Sequence, residues 1–412
     1  MKILFLCNKS PWPAREGGPI AMNSLIEGLI EAGHQVKVLA VNSDKYKVDA
    51  QDIPEDYRSK TAIELEYIDL NIKPFDAFIN LFTRKSYHVK RFISPAFRTR
   101  LISILSEQHF DVVQLETVFM APYVSDIRKY SKAVVVLRAH NVEHLIWKRL
   151  SVKTRNPLRR FYLRHLSRTL EQYEISVLDQ FDGIAAITRK DASFFRGLCT
   201  TPVIDIPFGL KPAAFDSGKD QPDWPGLFHI GSMNWMPNEE GIRWFLEKVW
   251  PLVQQAHPGL GVHLAGRYMP SWLVSGYRPN VHVVGEVESA RAFILSKSVA
   301  VVPLLSGSGI RIKIIEAMAL GRTVITTSIG AEGINYTDGK NILIADSPGN
   351  FARAISKCVD NKAFSLSVGA SARLLIEESY DIRKITGRLA AFYQAVVPGV
   401  TDEKPHKVSK DL

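Results

Sequence analysis

Short apolar runs alternate with longer segments whose apolar residues recur every three to four positions, and this alternation runs through the chain twice. Residues 3–7 form an unbroken apolar run of strand length, as expected for a strand buried on both faces. A loop through Pro11-Trp12-Pro13 and Gly17-Gly18 follows. A helix with Leu25, Leu29 and Ile30 on one face comes next, stopped by Gly33 before a strand at 36–41. Further strands are expected at 63–70, 111–115, 133–137 and 183–187, with a long helical, partly basic segment from 143 to 180 between the last two. Strands separated by helical stretches are βαβ units, so the expected sheet is parallel.

A polar, proline-containing stretch from Lys211-Pro212 to Trp224-Pro225 interrupts the rhythm and reads as a linker. The pattern then restarts with strands at 227–230, 262–265, 281–284, 300–303, 323–327 and 342–344, and a helix at 241–249 turning Ile242 and Phe245 inward. Helices near 351–358, 364–377 and 382–396 close the chain before a polar tail. The expected class is α/β, with two Rossmann-like halves. The first is 1–208, the linker 209–224 and the second 225–380. A helix at 381–397 is expected to pack back toward the first half, and 398–412 is the tail.

At 412 residues the chain exceeds what one core organises, which agrees with two domains. Cys7, Cys199 and Cys358 are far apart and unpaired in spacing, which argues against a disulfide framework or a zinc site and fits a reducing, cytoplasmic setting. The first apolar run is too short for a signal peptide, and no stretch reaches the roughly 18–20 residues that span a bilayer. The net charge of +10 is unevenly placed. No acidic residue lies between Asp76 and Glu107, where Arg84, Lys85, Lys90, Arg91, Arg98 and Arg100 occur. None lies between Glu143 and Glu171, where Lys148, Arg149, Lys153, Arg155, Arg159, Arg160, Arg164 and Arg168 occur. The basic segments 84–100 and 148–168 are either solvated helix faces or a surface for an anionic membrane or a lipid-pyrophosphate acceptor, which would make the protein peripheral at the inner face of the membrane. They lack the interleaved aromatic repeats of an RNA-binding module, and no nucleic-acid partner is expected.

In open parallel sheets, ligands bind where strand ends lead into helix N-termini. The most informative such junction runs from Val301 to Gly333. The strand ends in Ser306-Gly307-Ser308-Gly309-Ile310-Arg311-Ile312-Lys313, followed by Ile314-Ile315-Glu316-Ala317-Met318-Ala319. Gly307 and Gly309 permit close approach of backbone N–H groups to an anion, and a helix opening just after Ser308 adds its positive end. Arg311 and Lys313 add full charges, and Glu316 can chelate a ribose diol. A nucleoside diphosphate offers both an anionic middle and a diol. The plainer alternative is a tight turn with Lys313 and Glu316 as a helix-surface pair.

This segment resembles the donor motif of retaining glycosyltransferases of family 4, Gly-x-Gly-x-Arg-x-Lys-x-x-Glu-Ala-Met-Ala-x-Gly, and continues as in that family through Thr323–Thr327 and Gly330-Ala331-Glu332-Gly333. Other matches are Gly17-Gly18, Gly33-His34-Gln35-Val36, Ile206-Pro207-Phe208-Gly209-Leu210 and Gly231-Ser232-Met233-Asn234-Trp235-Met236-Pro237-Asn238, so the resemblance covers residues 1–397. It implies a GT-B fold, with two Rossmann-like domains facing each other across a cleft. It implies metal-independent sugar transfer from a nucleotide-diphosphate sugar to a glycan or lipid-linked acceptor, as in polysaccharide synthesis, with no cofactor beyond that co-substrate. Carried over, Glu316 binds the donor ribose, and Arg311 and Lys313 neutralise the diphosphate. The Gly307-Ser308-Gly309 loop, Gly231 and Glu332 lie at the donor, while Gly17 and Gly18 approach phosphate and acceptor. Two departures stand out. Ser308 replaces the glutamate that many members carry separated by seven residues from the ribose glutamate, and Ser232 and Glu240 replace a diphosphate-binding Arg and Lys.

His140, in Arg138-Ala139-His140-Asn141, follows a strand, and the resemblance places a histidine there beside the donor sugar. Such a histidine can bond a sugar hydroxyl or support charge on the departing diphosphate; polar packing is its structural alternative. Glu116, at another strand end, can orient the acceptor hydroxyl or act as its base, or be a loop carboxylate. His144 is expected to be a cap or surface residue. Two other functions share parts of the pattern: a nucleotide-sugar epimerase of the same fold, and a non-enzymatic anion-binding protein. A dinucleotide oxidoreductase is disfavoured because Asn8-Lys9-Ser10-Pro11 stands where its glycine fingerprint would follow the first strand.

Overall fold

A computed structural model describes residues 1–14, 17–211, 222–276, 278–307 and 310–397. The chain forms two compact units, Met1–Gly209 with the segment from Arg383 onward, and Leu210–Ile382.

The first unit is built on a seven-stranded parallel sheet of β1 (Lys2–Cys7), β2 (Gln35–Asn42), β3 (Glu64–Tyr67), β4 (Val112–Glu116), β5 (Val134–Ala139), β6 (Gly183–Ala186) and β7 (Val203–Asp205). The order is β3-β2-β1-β4-β5-β6-β7, so the chain reverses direction across the sheet between β1 and β4. Ile3, Leu4, Phe5 and Leu6 are all fully buried, so both faces of β1 are covered, which is why it reads as a continuous apolar run rather than an alternation. The helix Gly17–Glu31 buries Leu25 and Leu29 and ends at Gly33, whose φ of 85° is open to glycine without strain.

Three elements differ from the sequence expectation. The third strand covers only Glu64–Tyr67. The short, half-buried β7 has no apolar run to announce it. The helical stretch after β5 is two helices, Glu143–Lys153 and Pro157–Ser176. Pro157 lacks the N–H that a continuing helix needs, and Asn156 Oδ1 accepts from Arg159 N at 3.0 Å, capping the second helix. The helix Ile382–Ala395 lies on the first unit's sheet, where the Phe392 ring occupies the space a Cβ at Gly183 would take and Tyr393 donates to Gln114.

The second unit repeats the plan with six parallel strands: β8 (Leu227–Ile230), β9 (Val262–Ala265), β10 (Val281–Gly285), β11 (Val299–Val302), β12 (Thr323–Thr326) and β13 (Leu343–Ile344). Their order is β10-β9-β8-β11-β12-β13, with the reversal between β8 and β11. The predicted helix at 241–249 is longer: Met236–Trp244 runs through a π turn, Phe245–Val249, into Trp250–Ala256. Ile242 and Phe245 are fully buried. Gly241 is required here, since a Cβ would stand 2.2 Å from the Pro303 carbonyl oxygen just beyond β11. That contact draws the helix start to the end of β11, where the sheet reverses. The fold is GT-B, each unit being Rossmann-like. Among the described residues, no helix is long and apolar enough to cross a membrane.

Candidate functional site

In the second unit the polar groups gather at the carboxyl ends of β8 and β11. The helix Ile312–Ala319 opens with Arg311 as its N-cap, φ −90° and ψ 95°, so it starts later than the expected position directly after Ser308. Ser308 and Gly309 lie outside the described residues. Lys313 Nζ donates to Asn238 Oδ1 at 2.5 Å, so its partner is the first turn of the helix Met236–Trp244 rather than Glu316. Asn238 Nδ2 in turn donates to the Ser232 carbonyl at 2.8 Å. Gly231 leaves the room for this pair, because a Cβ there would lie 2.6 Å from Lys313 Nζ and 2.8 Å from Asn238 Nδ2. On its other side Gly266, at φ 141°, would put a Cβ 1.9 Å from the Gly231 carbonyl oxygen; two glycines thus let β8 and β9 end in contact.

Trp235 forms a platform beside the cations. The Arg311 guanidinium lies 5.5 Å and Lys313 Nζ 5.9 Å from its ring centroid. Gly307, at φ 111°, sits against both, with a notional Cβ 3.0 Å from Arg311 Nη2 and 3.3 Å from the Trp235 ring. Crowding cations under an aromatic ring, out of water, disfavours their charged forms. Burial, then the neighbouring Arg311, pushes Lys313 down to about 7, and burial draws Arg311 down to about 10 with Glu332 acting the other way. Glu316 follows one turn after Lys313 and burial raises its carboxyl. His229, also buried, donates through Nδ1 to the Val301 carbonyl at 2.8 Å. Burial and then Lys313 hold the imidazole far below its ordinary value, so it is neutral. Ser232 and Glu240 are occupied locally, Ser232 Oγ donating to Asn234 Oδ1 at 2.7 Å and Glu240 accepting from Ser306 Oγ at 2.8 Å. At neutral pH Arg311 therefore keeps its charge, while Lys313 is about half protonated.

In the first unit β1, β4 and β5 place Cys7, Glu116 and Arg138 side by side in register at their carboxyl ends. Glu116 is fully buried. One oxygen bonds His140 Nε2; the other accepts from Gln114 Nε2 at 2.6 Å. Arg138 is fully buried, its Nη1 3.9 Å from Glu116 and 3.4 Å from the Ala21 carbonyl, and its Nε and Nη2 have no hydrogen-bond partner among the described residues. Burial acts against the Glu116 charge, but Arg138 and then His140 outweigh it and hold the carboxyl below its ordinary value. An ionised Glu116 accepts the His140 Nε2–H, leaving Nδ1 for an external partner. His140 is 11% exposed at its side chain, Glu116 not at all, so Glu116 reaches any acceptor hydroxyl only through the imidazole.

Glu332 acts electrostatically on Arg311. Gly18 lies beside the Lys9 side chain, a notional Cβ 3.1 Å from its Nζ, and Gly17 begins the first helix. His144 is not a surface residue: it is buried and bonds Glu174 at 2.6 Å, whose carboxylate also accepts the Glu143 N–H at 3.0 Å and so caps that helix. Asn238, Trp235, Gln114, Arg138 and Tyr393 were not singled out from the sequence. Gln114 and Arg138 do carry a signal there, as polar residues inside strands that are otherwise apolar. Among the described residues, no group of three or more His, Cys, Asp or Glu is arranged to hold a metal ion.

Residues 225–361 match the family model described as Glycosyl transferases group 1. An uncharacterized 44.6 kDa protein in the cps region of Klebsiella pneumoniae is 23% identical over 398 residues, covering 93% of this chain and 97% of that protein. Among solved structures, sucrose-phosphate synthase from Thermosynechococcus elongatus superposes with a TM-score of 0.71 at 16% identity, covering 96% of this chain and 99% of that one. HepE of Anabaena in complex with UDP gives 0.67 at 13%, covering 96% and 100%. TarM gives 0.67 at 13%, covering 95% and 99%. The second unit therefore carries a glycosyl transferases group 1 domain in a chain of GT-B fold.

Proposed function

We propose that this protein is a retaining glycosyltransferase that moves a sugar from a nucleoside-diphosphate sugar to a glycan or lipid-linked acceptor in cell-surface polysaccharide synthesis. The observation that carries the proposal is the cluster of Arg311, Lys313, Asn238 and Gly231 around Trp235 at the strand reversal of the second unit. It is a site for a diphosphate. In transfer, the bond from the sugar's anomeric carbon to the diphosphate breaks as the acceptor oxygen bonds that carbon from the same face, and the acceptor's hydroxyl proton passes to the departing phosphate oxygen. The departing oxygens gain negative charge, which Arg311 and Lys313 meet from fixed positions. Each well-placed donor of that kind contributes roughly 3–4 kcal/mol to lowering the barrier. Glu316 holds the ribose hydroxyls and Glu332 the donor side of Arg311. Gly307 permits close approach of backbone, and the donor loop it opens continues in sequence through Ser308 and Gly309.

The first unit takes the acceptor. His140, oriented by Glu116, bonds a sugar hydroxyl or supports developing charge, and Gly17 and Gly18 border the acceptor path. The reaction needs no metal in this reading, because the two cations do the work a divalent ion does elsewhere. The exposed basic segments favour an acceptor presented at an anionic membrane surface. An anion-binding protein without catalysis accounts for the second unit but gives the His140–Glu116 pair no task. A thermal-shift panel of nucleoside diphosphates and their sugars tests the reading. One base should stabilise the wild type by several degrees and leave Glu316→Ala unmoved. Equal stabilisation of both proteins, or none of the wild type by any nucleotide, refutes it.

A further inference from the structure

The basic segments are sorted by the fold. Arg98 pairs with Asp126 at 2.8 Å, Arg100 pairs with Glu64, and Arg91 donates to the Leu70 carbonyl at 2.7 Å. Those three are structural. Arg84, Lys85, Arg155, Arg159, Arg164 and Arg168 are exposed. They surround a second feature that charge alone does not explain. The short helix Pro74–Asn80 packs through Ala77 against Leu163 and Leu166 of the helix Pro157–Ser176, and His165 Nε2 bonds the Asn80 carbonyl at 3.0 Å. Its phenylalanines face water: Phe75 is 74% exposed, Phe78 58% and Phe82, just beyond it, 79%. Phe78 and Phe82 meet edge to face at 5.5 Å.

An open groove of about 500 Å³ runs between residues 81–84, just after the short helix, and the longer helix, lined among others by Phe82, Arg84, His165, Arg168 and Gln172. On the longer helix, Leu158 and Phe161 continue the face of His165 and Arg168 at helical spacing, one to two turns toward the N-terminus, and are 81% and 66% exposed. Large apolar side chains standing out singly are ordinary; a set of them on two packed helices, ringed by cations, is not.

We propose that this helical pair is a membrane-docking wedge, in which Phe75, Phe78, Phe82, Leu158 and Phe161 enter the acyl boundary of an anionic bilayer and the surrounding arginines and Lys85 hold lipid phosphates. The proposal deepens the lipid-linked-acceptor reading above by naming the surface that brings the enzyme to that acceptor. A basic, amphipathic face of this composition lies in the plane of an interface rather than across it. A second copy of the chain would bring two acid-free basic segments face to face, whereas phosphatidylglycerol or phosphatidylserine complements them. A water-soluble glycan acceptor gives the phenylalanines nothing to bury.

The test is flotation of the full chain with phosphatidylcholine vesicles, with and without phosphatidylglycerol, at low salt and at about 0.5 M NaCl, where exposed charge pairs are screened. The wild type binds only the anionic vesicles and retains part of that binding at high salt. Replacing Phe78, Phe82 and Phe161 by Ser leaves low-salt binding weakened by about tenfold or more and abolishes the salt-resistant fraction. Replacing Arg84, Arg159 and Arg164 by Glu abolishes binding at both salts. All six positions are exposed, and both variants should keep the wild-type melting temperature. An environment-sensitive dye on Phe82→Cys, in a Cys199→Ser background, shifts to the blue with anionic vesicles. Wild-type indifference to vesicles, unchanged binding by the triple-serine variant, or light scattering that shows a dimer abolished by it would each overturn the proposal. Vesicle binding requires neither donor nor acceptor. Its failure leaves the donor site standing, and failure of nucleotide binding leaves the wedge standing.

Discussion

Replacing Lys313 by Met should stabilise the empty protein while removing its affinity for a nucleoside diphosphate. Methionine keeps the reach of the side chain and discards the ammonium. Burial and Arg311 lower Lys313 from an ordinary 10.5 to about 7. A group so depressed penalises the folded state by at most roughly 4–5 kcal/mol at pH 7 and below. Against that, the substitution leaves Asn238 Oδ1 without its 2.5 Å donor, a cost of about 1–3 kcal/mol. The net gain is then about 1–4 kcal/mol near neutrality. Between pH 7 and 10.5 the unfolded chain binds a proton on this lysine that the folded chain has released, so wild-type stability rises with pH across that window. The variant's advantage is therefore largest at pH 7 and below and vanishes or reverses toward pH 10. Urea unfolding of both proteins at several pH values, with calorimetric titration of the nucleotide, measures each part. A variant less stable than wild type by the same amount at every pH, or one that binds nucleotide normally, refutes the reasoning.

Three further outcomes follow from the same geometry. At about pH 8, binding of a nucleoside diphosphate should take up close to one proton on Lys313 and below about pH 6 almost none, read from calorimetry in buffers of different ionisation enthalpy; zero uptake at about pH 8 would separate Lys313 from the phosphates. Gly231→Ala should lower the melting temperature by a few degrees, because the added Cβ displaces the hydrogen-bonded ends of Lys313 and Asn238, and should weaken the nucleotide about tenfold or more; unaltered affinity counts against the site. His140→Ala should lower turnover by about 10²-fold or more with little change in donor affinity, and steady-state kinetics beside donor calorimetry decide it; near-normal turnover would leave His140 a packing residue.

The strands were legible because both sheets are buried on two faces, so β1, β4, β5, β8, β9 and β12 are apolar runs bounded by polar or glycine residues. β7 escaped notice because three half-buried edge residues leave no pattern. Asn156-Pro157 carries the break in the basic helical stretch, being a cap followed by a first-turn proline, but the helical period continues on both sides of it and masks the interruption. The cations Arg311 and Lys313 were visible in one short stretch of chain. Their partners were not, since Asn238 lies 75 residues away from Lys313, and tertiary contacts such as Gly241–Pro303 and Glu240–Ser306 bring its helix to the end of β11. Likewise Gln114 and Tyr393 are 279 residues apart, a separation at which no local periodicity speaks. Local chemistry was readable from sequence; the packing that completes each site was not.

The most direct measurement is a crystal structure with the nucleoside diphosphate that gives the largest thermal shift. The account predicts its phosphate oxygens within hydrogen-bond reach of Lys313 Nζ and the Arg311 guanidinium, with both ribose hydroxyls on the Glu316 carboxylate. Density for the nucleotide at any other place on the chain, or with its phosphates turned away from these two cations, would contradict it.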